Sequence, residues 1–343
     1  MAVADARLSS QGLIAPDAMG PGAVARRLLA IQAQDPRGAR LAVRARLADG
    51  AEAPRASAVD EALDRGELVV GWLNRGTLHL VLADDYRWLA ALTGPRLVTS
   101  NRTRLKQEGV SPDQAEKAVS MIRRRLADGP ETRAEIRDLL ESAGIPVAGQ
   151  ALVHILYLAS LRGHVVRGPM IGRDQAFVLT DDWLGAPRPF DPDAALAELA
   201  RRYLVGHGPA TDRDLAKWAG LTLGQARRGL REIASELRET GEMVDLAEKG
   251  EVERAAPVRL LGPFDPILHG WESREWIVPG ERERGVVTTN GLFRPTIFDG
   301  RRVVGTWRLA GGEMSLDPFA DLPAEVDAAL AGEAEAVRAY LAG

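Results

Sequence analysis

Two glutamines, Gln32 and Gln34, stand one residue apart in the segment IQAQDPR, directly before Asp35 and Pro36. A glutamine carboxamide offers an acceptor oxygen and a donor NH2 group. One such side chain can therefore hold a water molecule and direct partial negative charge at a developing cation, and two can divide these tasks. From their spacing alone, two such glutamines are more often ordinary polar residues where a helix ends.

Other reactive groups are scarce in the 343 residues. The absence of cysteine excludes disulfides, a thiol nucleophile, thiolate zinc sites and iron–sulfur clusters. The five histidines show no HxxxH spacing, and there is no glycine-rich phosphate loop. The sequence therefore predicts neither a metal nor another cofactor.

A second group of polar residues follows the turn Asn74-Arg75-Gly76, which separates the predicted strands Leu68–Leu73 and Thr77–Leu82. Period-two alternation places Thr77 and His79 on one face of the second strand. A histidine at such a position is also typical of a hydrogen-bonded structural residue. Trp72 could stack on a ligand, although a tryptophan on a buried strand is more often part of the core.

The elements that must position the glutamines are short helices. Apolar spacing predicts helices over Ala23–Ile31, Ala39–Leu47 and Ala56–Leu63. Because Asp35 precedes a proline, it is displaced from the α region, so the Gln-x-Gln segment is expected at a helix exit. Helices followed by a two-stranded ribbon are the outline of a winged helix.

An internal repeat supports this outline, since GPETRAEI (129–136) and GPATDRDL (208–215) match at an offset of 79 residues. In each copy a threonine, Thr132 or Thr211, is expected to cap the next helix in a capping box. A recognition-type helix and a wing are expected to follow. The predicted helices are Gln150–Leu161 and about Leu223–Glu239, and the wings are His164–Arg167 with Gln175–Thr180, and the strand Met243–Leu246.

The C-terminal region alternates β-forming residues around Asn290-Gly291 and Asp299-Gly300, which predicts hairpins and a small sheet or barrel. The fold class is therefore α+β, with three tandem winged-helix units before a small C-terminal β-sheet or barrel. The predicted domains are winged helices at 1–100, which carries the Gln pair, 112–182 and 192–248, then a β domain at 255–320 and a C-terminal helix at 321–343.

Charge is distributed unevenly along a chain of net charge −4. Six arginines oppose a single acid between Pro21 and Leu47, and five cations stand without an acid between Tyr86 and Gln107. Such clusters are typical of phosphate-binding surfaces and also of ordinary solvated faces. No apolar run is long enough for a membrane helix and no signal peptide is evident, so we expect a cytoplasmic, nucleoid-associated protein.

Four segments together resemble the AlkZ/YcaQ-like winged-helix DNA glycosylases: IQAQDPR (31–37), WLNRGTLHLV (72–81), LLGPFDPILHG (260–270) and GLFRPTIFDGRRVVGTW (291–307). The resemblance spans nearly the whole chain. Their combination in this order is fairly specific, whereas each piece alone is weak. The motif Gln32-Ala33-Gln34 resembles the AlkZ-like branch, because the YcaQ-like branch has Asp in place of the second Gln. Ala33 is small for the central position of this motif.

The resemblance implies a monofunctional, metal-free glycosylase that excises alkylated purines, including bulky adducts and cross-links, and a link to antibiotic self-resistance. It implies that Gln32 and Gln34 are catalytic. It also implies that Thr77 and His79 lie near the reaction centre, where they orient water or contact a phosphate. We expect contacts to DNA from six arginines: Arg37, Arg40, Arg44, Arg75, Arg167 and Arg173. The expected partner is double-stranded DNA that contains an alkylated purine, bound by a monomer.

The chemistry agrees with this implication. An N7- or N3-alkylated purine is already cationic, so it leaves without much protonation, and the remaining need is to stabilise the sugar cation and position water. An ionised Asp would do this more strongly, so its absence predicts dependence on an activated leaving group.

Two other functions remain open. A non-catalytic winged-helix regulator would also explain the repeat. An enzyme acting on a small molecule would need a site that the sequence does not reveal. In FDPILH, Asp265 and His269 are interpreted as structural residues beside a turn.

Overall fold

The computed structural model describes residues 3–48, 54–250 and 255–343. Contacts divide the chain into two compact units. The first unit comprises residues 1–59 and 196–343, and the second comprises residues 60–195. Helices and strands occur in both units, so the mixed α and β composition predicted from the sequence is confirmed. Among the described residues, no helix has the length and apolarity required to cross a membrane.

The first unit begins with short helices and one short strand. These are α1 (Val3–Ser10), α2 (Pro21–Leu28), β1 (Ile31–Gln32) and α3 (Pro36–Arg44), followed by α4 (Ser57–Asp64), along which the chain passes into the second unit. The predicted helix Ala23–Ile31 is too long, because Leu29 adopts a φ of 63° that ends α2.

The predicted helix Ala39–Leu47 is displaced toward its N-terminus. Asp35 is extended, as expected before a proline, and its carboxylate accepts a 2.8 Å hydrogen bond from the Gly38 backbone N–H. Pro36 then occupies the first helical position, where its missing N–H costs nothing. The cap and the proline together start α3 three residues earlier than apolar spacing indicated.

The second unit contains a run of antiparallel strands covered by helices. Its elements are β2 (Leu68–Leu73), β3 (Thr77–Leu82), α5 (Ala83–Thr93), α6 (Pro95–Gln107), α7 (Pro112–Leu126), α8 (Arg133–Ser142), α9 (Ala151–Leu161), β4 (Val165–Ile171), β5 (Asp174–Leu179) and α10 (Thr180–Leu184). The strands lie in the order β3-β2-β4-β5. The first hairpin has the predicted bounds, because Asn74 and Gly76 both adopt the positive φ that its tight turn requires.

The core of the second unit is built from α7, α8 and α9. The sequence of α9, ALVHILYLASL, carries no charge apart from His154, and eight of its eleven residues are buried. A helix that is apolar on nearly every side belongs inside a core. The expectation that this segment forms a recognition-type helix, exposed for reading DNA, is therefore wrong.

The remainder of the first unit starts with three helices and a hairpin: α11 (Pro192–His207), α12 (Asp212–Ala219), α13 (Leu223–Glu232), β6 (Leu237–Thr240) and β7 (Met243–Leu246). The helix predicted to reach Glu239 ends at Glu232. Residues 237–240 instead pair with β7, Leu237 opposite Leu246 and Thr240 opposite Met243. Unlike α9, α13 keeps one face exposed, and that face carries Arg227, Arg228 and Arg231.

The C-terminal part of the first unit forms the small sheet expected from the sequence. Its elements are β8 (Arg259–Leu261), α14 (Glu283–Val286), β9 (Thr296–Phe298), β10 (Val303–Ala310), β11 (Glu313–Pro318) and α15 (Ala324–Ala342). The strands are antiparallel in the order β11-β10-β9-β8. Gly300, with a φ of 96°, forms the turn between β9 and β10, as Asp299-Gly300 predicted.

Both predicted capping boxes are present. The Thr132 hydroxyl accepts from the Glu135 N–H, and the Glu135 carboxylate accepts from the Thr132 N–H. Thr211 and Asp214 make the same exchange at the start of α12. The two copies of the repeat therefore share their helix starts, while the helices that follow differ in burial.

Candidate functional site

The Gln-x-Gln segment is a short extended stretch between two helices of the first unit. Gln32 lies in β1, and Ala33 and Gln34 precede the capping residue Asp35. Gln32 ends the strand and Gln34 stands at a bend, so the pair lies after the end of α2, as the sequence predicts.

The two side chains differ in exposure. Gln32 is 5% exposed, whereas Gln34 is on the surface. Neither carboxamide has a hydrogen-bond partner within the ranges 3–48, 54–250 and 255–343. Neither carboxamide is among the enclosed, unpartnered polar atoms of the described residues, so both can meet water or a ligand.

The helix that follows the pair is fixed by close backbone packing. A Cβ on Gly38 would lie 2.3 Å from the Pro263 carbonyl oxygen, and one on Gly262 would lie 2.8 Å from the Leu41 Cβ. Only glycine permits this approach of α3 to the segment after β8. The start of α3, and with it Gln34, is thereby held against the C-terminal sheet region.

A buried ion pair fixes the other end of α3. The Arg46 guanidinium donates to both Asp265 carboxylate oxygens at 3.0 and 2.8 Å, and neither side chain has any exposed surface. This agrees with the structural interpretation of Asp265. The partner could not be found from the sequence because 219 positions separate the two residues.

The three arginines predicted to follow the pair on one helix face have different surroundings. Arg37 is exposed, and its Nη1 donates to the Leu309 carbonyl in β10 at 3.3 Å. Arg40 donates to the Pro36 carbonyl of its own helix. Arg44 makes two hydrogen bonds of 2.7 and 2.8 Å to the Glu333 carboxylate, which is itself buried. This pairing contradicts a DNA-binding role for Arg44, because a phosphate would have to compete with a buried carboxylate.

In the second unit, Thr77 and His79 share a face of β3 as predicted. The Nδ1–H of His79 donates to the Thr77 carbonyl at 2.9 Å, which leaves Nε2 as the acceptor of the neutral ring. His79 is 3% exposed, and the Thr77 hydroxyl is enclosed without a hydrogen-bond partner among the described residues.

Trp72 lies on the opposite sheet face from this pair. The register places Gly71 opposite His79 and Trp72 opposite Leu78. The Trp72 ring packs against Tyr157 of α9, with ring centroids 5.5 Å apart, and belongs to the core of the second unit. Trp72 therefore cannot act together with Thr77 and His79, and the core alternative for this residue is correct.

The other predicted DNA contacts are hairpin residues of the second unit. Arg75 is exposed in the β2–β3 turn, and Arg173 is exposed in the β4–β5 turn. Arg167 is only partly exposed, with its guanidinium over the rings of Trp72 and Phe177.

Comparison with known proteins places the chain in one family. Residues 25–340 match the family model described as "DNA glycosylase AlkZ-like". A curated protein of Streptomyces sahachiroi, named interstrand DNA cross-link repair glycosylase, is 29% identical over 319 residues, with 86% of this chain and 84% of that protein covered. The solved structure of Streptomyces sahachiroi DNA glycosylase AlkZ superposes with a TM-score of 0.80 at 25% identity, covering 98% of this chain and 95% of that one.

This chain belongs to the AlkZ-like DNA glycosylase family. It is accordingly an enzyme that acts on N-glycosyl bonds in damaged DNA, as the resemblance of its sequence implied.

Proposed function

We propose that the protein is a monofunctional glycosylase that acts as a monomer on double-stranded DNA and releases alkylated purines, with N7-alkylguanine and N3-alkyladenine as the simplest substrates. Bulky adducts and interstrand cross-links are included because the similar Streptomyces protein is named a cross-link repair glycosylase. Gln32 and Gln34 are proposed as the catalytic pair.

The observation that carries this proposal is that Gln32, 5% exposed as a residue, and the exposed Gln34 stand side by side, and the described residues form no hydrogen bond to either carboxamide. The segment is constrained on both sides, by the positive φ of Leu29 and by the capped start of α3. Strained backbone and unsatisfied polar groups cluster where a protein uses them. A water molecule and the lesion's sugar are suitable partners for two carboxamides that the folded chain leaves unpaired.

The proposed reaction needs the protein only to stabilise the sugar cation and to orient a water molecule. Because an N7- or N3-alkylated purine already bears positive charge, cleavage of its glycosidic bond leaves a neutral base and an oxocarbenium-like sugar. The carboxamide oxygens stabilise this cation as fixed dipoles, and one carboxamide orients the water that attacks the sugar carbon. The proton of that water passes to solvent or to a nearby base, since a neutral amide does not accept it.

Thr77 and His79 are proposed as residues that orient water or contact a phosphate. The His79 Nδ1–H bond to the Thr77 carbonyl fixes the ring tautomer, so Nε2 has a defined role as acceptor, or as donor when the ring is protonated. The enclosed, unpartnered Thr77 hydroxyl supports a polar contact at this strand.

DNA contacts are proposed at Arg37, Arg40, Arg75, Arg167 and Arg173, where guanidinium groups suit phosphate oxygens. The three winged-helix units remain part of the proposal. Three helices followed by a hairpin occur at α7 to β5, where the third helix, α9, belongs to the core, and again at α11 to β7. Along the chain, the hairpin β2–β3 also follows three helices, α2, α3 and α4.

The test is base release from duplex DNA that contains N7-methylguanine, with a second duplex that carries an N7-linked interstrand cross-link. We expect Gln32→Ala and Gln34→Ala each to lower single-turnover base release by about 100-fold or more, the scale of removing one preorganised dipole. Gln150→Ala, an exposed glutamine in the second unit, is the matched control. Unchanged release in the double variant would move the chemistry to other residues, and release from neither duplex would refute the proposed substrate class.

A further inference from the structure

Arg167 holds an unusual position for a charged side chain. It lies in β4, opposite Val70 of β2 and Phe177 of β5. Its guanidinium carbon is 5.5 Å from the Trp72 ring centroid and 5.0 Å from that of Phe177. Both rings belong to the core of the second unit. The cation therefore lies against two aromatic side chains of the core, although the residue is only half-buried.

No acid neutralises this cation within the described residues. Arg167 forms no ion pair there, and its Nε is enclosed without a hydrogen-bond partner. Burial, and less strongly the positive charge of Arg133 in α8, lowers the pKa of Arg167 to about 10. Glu131 forms a backbone bridge with Phe177, and its carboxylate is paired with Arg125 at 2.5 Å.

A cation in such surroundings requires compensation. Aromatic faces compensate only in part, because ring quadrupoles attract a cation less strongly than a carboxylate does. Only Nε of the guanidinium is both enclosed and unpartnered, so the two terminal nitrogens are the atoms left to meet a ligand. The second cation, Arg133, is exposed at the start of α8. The pair therefore combines a guanidinium held against aromatic rings with an exposed one.

We propose that Arg167 and Arg133 form a binding site for one phosphate group, which the backbone of duplex DNA supplies. This site rests on the proposed function, since that function brings DNA to the second unit. A guanidinium fork matches two oxygens of a tetrahedral phosphate with two parallel hydrogen bonds. The rings of Trp72 and Phe177 fix the direction of the Arg167 fork, so the phosphate is held at a defined place.

The main experiment uses the full chain with Arg167→Met, which keeps an unbranched side chain and removes the charge. DNA affinity is measured on an undamaged duplex from about 50 to 200 mM salt, the range in which phosphate contacts dominate. We expect weaker binding and a log–log salt slope that is smaller by about one, the change for one lost phosphate contact. Arg162→Met, whose charge is already paired with Glu116, is the matched control and should leave the slope unchanged.

A second variant covers the case in which Arg167→Met does not fold. Arg133→Gln changes an exposed helix residue, and it should also reduce the salt slope, by less than one. Slopes equal to that of the wild-type protein in both variants would overturn the proposal.

Inorganic phosphate distinguishes a free anion from DNA as the natural occupant. If phosphate raises the melting temperature of the wild-type protein and not of Arg167→Met, at matched ionic strength, the site binds phosphate groups as proposed. If that difference appears while the DNA salt slope is unchanged, the DNA backbone is the wrong source and the proposal fails in that respect.

Base release from the N7-methylguanine duplex is measured on the same samples. If Arg167→Met has the smaller salt slope but the wild-type protein releases no base, the proposed function fails and the phosphate site stands. Normal base release with an unchanged slope would remove the site and leave the function.

Discussion

Two arginines that contact the core, Arg46 buried in the first unit and Arg167 half-buried in the second, have opposite surroundings. Arg46 in the first unit has all five guanidinium hydrogens engaged, by the Gln11 and Ala42 carbonyls, the Gln11 carboxamide and the Asp265 carboxylate. Arg167 in the second unit lies between two aromatic rings, and none of the described residues supplies it with an acid. The hydrogen-bonding groups of Arg46 are thus fully satisfied by the protein, whereas those of Arg167 are not.

The difference separates a structural role from a ligand-binding role. A fully satisfied buried pair has no capacity left for a ligand, and its value lies in fixing α3 beside the Gln-x-Gln segment. An unpaired cation costs stability in the free protein, and proteins retain such costs mainly at functional sites. Contact with the core therefore does not distinguish the two roles, whereas the presence or absence of a protein partner is the difference on which the proposed phosphate site rests.

The largest effect is expected from Arg46→Met. It leaves the Asp265 carboxylate buried without its partner, and breaking a buried pair in this way costs about 3–5 kcal/mol. The free energy of unfolding is measured by urea titration with far-UV circular dichroism. Arg301→Met, an exposed arginine in the β9–β10 turn, is the control and should change stability by less than about 0.5 kcal/mol.

The double variant Arg46→Met with Asp265→Leu sharpens this test. Removing both charges takes away the desolvation cost as well as the attraction, so it should lose less stability than Arg46→Met alone. A double variant that is as unstable as the single one would show that the hydrogen bonds of Arg46 to Gln11 and Ala42 matter more than its charge.

His207 shows a third way to bury a basic group, which is to keep it neutral. Its ring is fully buried, stacks on Tyr203 at 4.8 Å, and contacts Trp218 and Trp271. Burial lowers the pKa of His207 to about 3, with smaller contributions in the same direction from His269, Lys249 and Arg46. The unfolded chain binds this proton near pH 6.5, so between pH 6.5 and 3 the unfolded state holds more protons and folding weakens as pH falls.

The expected loss from this histidine is about 2 kcal/mol between pH 6.5 and 4.5, since each pKa unit corresponds to about 1.4 kcal/mol and the unfolded histidine is half-protonated at pH 6.5. Carboxylates titrate in the same interval, so the measured quantity is the difference from His207→Phe, which keeps an aromatic ring in the stack. As pH decreases, the variant's free energy of unfolding should fall less steeply than that of the wild-type protein. The difference in slope should correspond to about one proton fewer taken up on unfolding. Parallel pH profiles would show that His207 does not stay neutral in the folded protein.

Arg44 shares a feature with each of Arg46 and Arg167, namely an acidic partner with the former and partial exposure with the latter. It is paired with Glu333, yet its side chain remains 11% exposed, and Glu333 also accepts from the Leu260 N–H at 3.0 Å. Arg44→Met should cost about 2 kcal/mol in urea unfolding, within the range for lost hydrogen bonds to a charged group. The same variant should keep the DNA salt slope, because this arginine is already engaged. A smaller slope would restore the DNA-binding role that the structure contradicts.

Local signals in the sequence predicted much of the fold. The bounds of β2 and β3, the capping boxes at Thr132 and Thr211, and the turn at Asp299-Gly300 all depend on neighbouring residues, which the sequence shows directly. The end of α2 differs from the prediction because a leucine gives no sign in the sequence of the positive φ that Leu29 adopts. The strand Leu237–Thr240 was missed for a similar reason, since pairing with β7 overrides helix propensity.

For the candidate site too, the sequence indicated some features and could not show others. Residue types and spacing indicated Gln32, Gln34, Thr77 and His79, and strand alternation placed the last two on one face. The sequence could not show that Trp72 faces away from them, which depends on the register of β2 against β3. Nor could it distinguish Arg44 from Arg167, because the presence or absence of a partner is decided by residues far along the chain, such as Glu333.

The smallest expected effect is that of Arg167→Met on stability, and it is expected to have the opposite sign to that of Arg46→Met. If Arg167 is an unpaired cation kept for a ligand, Arg167→Met removes a desolvation cost and places an apolar side chain beside Trp72 and Phe177. The free energy of unfolding without DNA should then be unchanged or rise by up to about 1 kcal/mol. Urea titration beside Arg46→Met measures both variants under one condition. A loss of 2 kcal/mol or more for Arg167→Met would mean that the aromatic contacts stabilise the fold, and the two arginines would then differ in degree and not in kind.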